Sequence, residues 1–183
     1  MQTPADDTLV CSARRGDDGA FSALVTRHKR RVFGLAARFA RDSDELEDIC
    51  QDVFIKAYEN LASFRGDAPF EHWLIRIATR TCHDTLRRRQ RESGTASYDS
   101  FVQGVADHTA EARLTAGEAR ALLKWAMGRL SPDEQLVITL FELEEYSVKE
   151  VAGLTGWSEA NVKVRGHRAR QALKRLLEEN DAR

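Results

Sequence analysis

The stretch Ser147–Leu177, SVKEVAGLTGWSEANVKVRGHRARQALKRLL, decides the fold. Ser147 and Glu150 have the spacing of a capping box that opens a short helix, and Ser158 is placed to cap a second. Gly156 between them supplies the left-handed conformation on which a helix ends. Small Ala152, Gly156 and apolar Val162 fall where two crossed helices need close approach, a turn and a buried anchor. At about 100° per residue, Val162, Gly166, Ala169, Leu173 and Leu176 share one face of the second helix. Lys163, His167, Arg170 and Lys174 share another, flanked by Arg168 and Arg175, with no acid between Glu159 and Glu178. The pattern is a helix–turn–helix whose second helix suits a DNA major groove. Base contacts then lie near its N-terminal end and phosphate contacts along its rim. An ordinary solvated amphipathic helix is the plainer alternative.

The whole chain has 183 residues, 42% hydrophobic and 31% charged, which is ample core material for one medium domain or two small ones. Few prolines and repeated 3.6-residue patterns predict an all-α protein. The formal net charge is only −1, but the charges are segregated. Cations gather at Arg27–Arg31, Arg76–Arg91 and Lys163–Arg175, and acids at Asp42–Asp52 and Glu142–Glu145. Local fields attract a phosphate backbone whatever the total. Cys11, Cys50 and Cys82 are odd in number and lack CxxC spacing, which argues against a disulfide framework and for a reducing cytoplasm. The five histidines show no ligand spacing, so neither a metal nor any other cofactor is expected. No apolar run approaches a signal segment or a membrane span, which predicts a cytoplasmic protein without membrane insertion.

Two small helical domains, residues 1–91 and 113–183, are expected on either side of a flexible linker, residues 92–112, rich in Ser, Thr, Gly and acids. In the first, Leu9, Val10 and Ala13 belong to a short helix broken by Gly16. Phe21, Leu24, Val25, His28, Val32, Leu35 and Phe39 mark a long amphipathic one. Asp42 and Glu45 box a third helix with the stripe Leu46, Ile49, Cys50, Val53, Phe54, Ala57 and Leu61. A loop, Ala62–Pro69, precedes a last helix from Phe70. In the second domain a helix runs from about Arg113 to Arg129. Another opens on the capping box Ser131-Pro132-Asp133-Glu134, with Leu136, Val137, Leu140, Phe141 and Leu143 as its apolar face.

Two further constellations carry chemistry. Arg76, Arg80, His83 and Arg87 fall at i, i+4, i+7 and i+11, one stripe of the helix that follows Phe70. Phe64, Phe70 and Trp73 stand beside them. Exposed aromatics among cations are what unstacked bases need, each stack contributing about 1–3 kcal/mol. The same aromatics read equally well as core. On the third helix, Asp44, Glu45, Glu47, Asp48, Gln51 and Asp52 make a strongly acidic side. Paired carboxylates can serve acid–base catalysis or Mg²⁺ binding. No phosphate loop or nucleophile accompanies them, so the chain is not expected to be an enzyme. A docking face for a basic partner, or a solvated face, remains.

These residues together resemble the extracytoplasmic-function (ECF) sigma factors, the minimal two-domain class of the sigma-70 family of bacterial RNA polymerase subunits. The resemblance runs from about Asp7 to Leu177. Asp48-Ile-Cys-Gln51-Asp52-Val-Phe54-Ile-Lys-Ala57-Tyr58 resembles region 2.2, which implies docking of Asp48, Gln51 and Asp52 on the β′ clamp helices of core polymerase. Phe64-Arg65-Gly66, Phe70-x-x-Trp73-Leu74-x-x-Ile77-Ala78, Asp84 and Arg87 resemble regions 2.3 and 2.4, which melt and read the −10 element. The implied −10 residues are Phe64, Arg65, Trp73, Arg76, Arg80, His83 and Arg87. Ser131-Pro132-x-Glu134 and Val162-Lys163-x-Arg165-x-x-Arg168-Ala169-Arg170 resemble region 4, which reads the −35 element and binds the β flap. The −35 residues are then Asn161, Lys163, His167, Arg168, Arg170 and Lys174, with Arg170 and Lys174 on phosphates. The resemblance further implies an anti-sigma factor.

The sequence departs from the family pattern at Arg80, where Asn is usual, and at Ala160-Asn161, which replaces Gly-Thr. Val164 replaces a common Ser, and Gly166 lies mid-helix at a cost of about 1 kcal/mol relative to Ala. The inward place of Gly166 predicts a close helix crossing. The implied function is promoter-specific transcription initiation. A stand-alone helix–turn–helix regulator and a metal-dependent recombinase are the competing readings.

Overall fold

The computed structural model describes residues 5–95 and 116–181, and among them the regular structure is all helix, without a strand. Eight α-helices follow in order: α1 (Asp6–Ala13), α2 (Asp18–Ala36), α3 (Ser43–Glu59), α4 (Phe70–Thr95), α5 (Ala116–Met127), α6 (Pro132–Ile138), α7 (Val148–Thr155) and α8 (Glu159–Asp181). By backbone packing the described parts of Met1–Leu86 and Lys149–Trp157 form one unit. Those of Arg87–Val148 and Ser158–Arg183 form another. None of the described helices is long and apolar enough to cross a membrane.

In the first unit α1 packs on α2, and α2 on α3. Asp17 Oδ1 accepts from the Ala20 N–H at 3.0 Å and Asp42 Oδ1 from the Glu45 N–H at 2.9 Å, so both long helices start on a side-chain cap. Glu45 turns back to accept from the Arg41 N–H at 2.8 Å. Leu24, Val32 and Leu35 of α2 are buried, as are Ile49, Cys50, Val53 and Ala57 of α3, in keeping with the predicted stripes. The inward face of α4 completes this core with Phe70, Leu74, Ala78, Cys82 and Leu86. Lys56 on α3 donates to Thr81 Oγ1 on α4 at 3.3 Å. Burial pushes the Cys50 thiol up to about 11, assisted by the Glu47 charge, so it stays protonated and unreactive at neutral pH. α4 continues to Thr95, past the expected start of the linker at Glu92. The rest of that linker and the expected helix start at Arg113 lie outside the described residues.

In the second unit α6 and α5 both pack on α8. Leu130, Ile138 and Ala169 are buried together with Met127, Ala172, Leu173 and Leu176 against them. Ser131 and Glu134 form the expected capping box: the Ser131 N–H donates to Glu134 Oε2 at 2.9 Å and the Glu134 N–H to Ser131 Oγ at 3.4 Å.

The helix after Ser131 does not continue as a regular α-helix to Leu143. It widens to a π-helical turn over Thr139–Leu143, closed by the Glu144 N–H on the Thr139 carbonyl at 3.1 Å. The wider turn carries Leu143 out of the apolar stripe, where it is 39% exposed, which corrects its expected place on the core face. Glu145 then takes φ = 56°, a left-handed conformation that brings the Tyr146 N–H onto the Leu140 carbonyl at 2.9 Å. Crowding of Cβ there costs a non-glycine residue about 1–2 kcal/mol. Set against glycine's greater chain entropy, Glu145→Gly is expected to stabilise the fold by about 0.5–1 kcal/mol. A urea midpoint at or below that of the wild type would show that the turn is not strained.

Candidate nucleic-acid interface

α8 is held so that one side faces outward along most of its length. The Asn161 N–H donates to Ser158 Oγ at 3.3 Å, which caps the helix start. Gly156, with φ = 82°, makes the preceding turn after α7. Val162, Gly166 and Ala169 are buried, whereas Asn161, Lys163, His167, Arg168, Arg170 and Lys174 are all exposed. The close approach expected at Gly166 is present, since a Cβ there would lie 2.6 Å from Phe141 Cε2 and 3.5 Å from Val137 Cγ1.

Three of the cations are engaged within the protein, which the sequence did not reveal. Arg170 Nε and Nη2 both lie 2.8 Å from Glu142 Oε1, and its guanidinium lies 5.4 Å from the Phe141 ring centre. Arg165 pairs with Asp133, and its Nε donates to Asn161 Oδ1 at 2.8 Å. Lys174 lies 3.5 Å from Glu178. The exposed Arg170 and Lys174 pairs are individually weak, of order 0–1 kcal/mol, and a phosphate can displace them, whereas Arg165 and Asp133 are both half-buried. Glu142 nevertheless fixes where the Arg170 head starts from.

On α4, Arg76, Arg80 and Arg87 are exposed and His83 is half-buried along the predicted stripe. Burial, and next the Arg76 charge, lower the Arg80 pKa, while Asp84 raises it. The aromatics behave differently from the stacking platform expected. Phe64 and Phe70 are only 7% and 2% exposed. Phe64 packs on Phe70 and Trp73 with ring centres 5.8 and 5.4 Å away, and Phe70 on Trp73 at 5.6 Å. Burying a ring of this kind contributes about 1.5–3 kcal/mol, so the cluster anchors the loop from inside. Half-buried Trp73 is the member that still reaches the surface. Arg14 Nη1 adds a long bond to the Phe64 carbonyl at 3.5 Å, and Arg65 stays exposed.

That loop borders an open cleft of about 990 Å³, which sequence spacing alone did not assemble. Gly66–Phe70 form one wall, and Arg27, Arg30 and Arg31 of α2 another. Of the other lining residues, Asp6 pairs with Arg27, and its Oδ2 lies 2.8 Å from His28 Nε2. The i, i+3, i+4 spacing of the three arginines was the available signal.

On α3, Asp44, Glu47, Asp48, Gln51 and Asp52 are exposed opposite the buried stripe, whereas Glu45 is buried. The acidic side therefore loses one of its expected members to the helix cap. No group of carboxylates, histidines or cysteines among the described residues is arranged to hold a metal ion.

Comparison with known proteins bears on both helical regions. Residues 24–92 match the family model of sigma-70 region 2, and residues 120–173 that of sigma-70 region 4. The chain is 34% identical to the RNA polymerase sigma-H factor of Pseudomonas aeruginosa, with 94% of each chain covered. It is equally 34% identical to the ECF RNA polymerase sigma-E factor of Escherichia coli, with 92% of each covered. Among solved structures it is similar to CnrH in complex with the cytosolic domain of CnrY: TM-score 0.62, 29% identity, 96% of this chain and 99% of that one. It is also similar to the sigma factor RpoE in complex with the anti-sigma factor NepR from Bartonella quintana. There the TM-score is 0.59 and the identity 26%, over 86% of this chain and 96% of that one. With both sigma regions matched in order and relatives aligned over nearly the full length, the chain belongs to the ECF sigma factors of the sigma-70 family.

Proposed function

We propose that this chain directs RNA polymerase to its promoters through three separate surfaces and performs no catalysis of its own. α8 reads the −35 element, with Asn161, Lys163, His167 and Arg168 toward the bases and Arg170 and Lys174 toward phosphates. The α4 stripe of Arg76, Arg80, His83 and Arg87, with Arg65 and Trp73, handles the −10 element. Phe64 supports the loop from within rather than stacking on a base. Asp48, Gln51 and Asp52 dock on the β′ clamp helices, and the second domain on the β flap.

The observation that carries the reading is the exposure of three charge-sorted faces, one acidic and two basic, on helices whose opposite sides are committed to the core. A two-domain organisation is supported by the two family matches, over residues 24–92 and 120–173, the second of which spans both α7 and most of α8. The work then takes place in the cytoplasm, where the polymerase is. The NepR complex supports a further element of the reading, that an anti-sigma factor holds this chain inactive.

Arg168 provides the test at the level of DNA. Its guanidinium is exposed on α8 and matches the fork that guanine accepts. Holoenzyme carrying Arg168→Ala is expected to lose about 1–3 kcal/mol of discrimination at one −35 position. An equal loss on every upstream sequence would move Arg168 to the phosphate set.

A further inference from the structure

The outward face of α8 is not cationic throughout. Val164 is 49% exposed, more than Leu123 or Leu143, the other large apolar side chains exposed among the described residues of its unit. Exposed Ala160 precedes it by one turn. At about 100° per residue the pair lies along the crest of the outward face, with Lys163 and His167 to one side and Arg168 to the other. All three flanking residues are exposed.

A lone exposed valine is ordinary on a protein surface. This one is placed where helix formation disfavours it, because a β-branched side chain loses rotamer freedom in a helix. It also sits within the first two turns of the helix, the part that approaches base edges in a major groove. With Lys163 and His167 reaching base edges on one side and Arg168 on the other, the crest between them lies over the floor of the groove. The floor offers one apolar feature, the C5-methyl of thymine, and hydrogen-bonding edges everywhere else. A valine cannot answer those edges and can cover the methyl.

We infer that Val164 is a specificity determinant that reads the C5-methyl group of a thymine in the upstream promoter element. The inference rests on the reading of α8 as the −35 helix and adds the base feature it selects.

The test uses the full chain assembled with core polymerase, and duplex promoters recovered from a library randomised over the upstream element. Each thymine on either strand is replaced singly by deoxyuridine, which removes only the methyl. One replacement is expected to weaken binding about fourfold with the wild type, the effect of one buried methyl-sized group. The same replacement is expected to have no effect with Val164→Ala, a helix-favouring change at an exposed site. The inference is overturned if the wild type tolerates deoxyuridine everywhere, if Val164→Ala shows the same loss, or if the recovered element contains no thymine. Should the library yield no upstream preference at all, the −35 reading of α8 falls, and the inference with it.

Discussion

Reversing Asp48 and Asp52 to arginine together is expected to weaken binding to core polymerase about 100-fold or more while the fold survives. Both side chains are exposed on α3, on the side away from Ile49, Cys50, Val53 and Ala57. Arginine forms helix at least as well as aspartate, so the helix itself is not taxed. Against a basic partner, reversal replaces attraction with repulsion, and like charges set against each other cost several kcal/mol. Since each 1.4 kcal/mol is about tenfold in affinity, two reversals should bring assembly below detection in a pull-down. Circular dichroism and the urea midpoint should stay at wild-type values. Unchanged polymerase affinity would mean that this acidic side is merely solvated.

The second large effect is structural. Gly166→Leu is expected to destabilise the unit built on α5, α6 and α8 by about 1–2 kcal/mol. A leucine recovers the helix propensity that glycine forgoes, about 1 kcal/mol. Its Cβ, however, would meet the Phe141 ring at 2.6 Å, with Val137 close behind. Overpacking of this kind costs about 1–3 kcal/mol and sometimes more, and here the rest of the leucine side chain needs room as well. Phe141→Ala in the same chain should return part of the loss, because it removes the ring that the introduced side chain would strike. Such a positive coupling between contacting residues is read from a double-mutant cycle of urea midpoints. A single mutant as stable as the wild type would mean that the ring swings aside freely.

Much of this architecture was legible because the periodicity of the apolar residues is strong. The stripes of α2, α3 and α8, the Ser131 capping box and the positive φ of Gly156 all followed from local residue chemistry. What escaped depended on contacts distant in sequence. The π-helical turn at Thr139–Leu143 alters the phase of a helix without a glycine or proline to announce it. The Glu142–Arg170 and Asp133–Arg165 pairs join residues that stand in separate acidic and basic segments of the chain. Phe64 shows the same limit from the other side. An aromatic beside a cationic stripe has two readings, and only its packing against Phe70 and Trp73 selects the inward one.

The cleft between the arginines of α2 and the Gly66–Phe70 loop was likewise hidden, since its walls lie far apart in the chain. Its signal was the clustering of Arg27, Arg30 and Arg31, which sequence alone could register only as charge. Arg170 carries a lesson for the interface. A cation on an exposed face can already have an internal partner, and DNA then exchanges one carboxylate for one phosphate instead of meeting an unengaged charge.

The central claim, that the chain confers promoter choice on a polymerase, is tested most directly by reconstituted run-off transcription with purified core polymerase. The chain should produce a discrete transcript from its promoter, lost when either the −35 or the −10 element is scrambled and absent with core polymerase alone. Unaided protection of a palindromic duplex by the chain, with no promoter-dependent transcript when core polymerase is added, would contradict it.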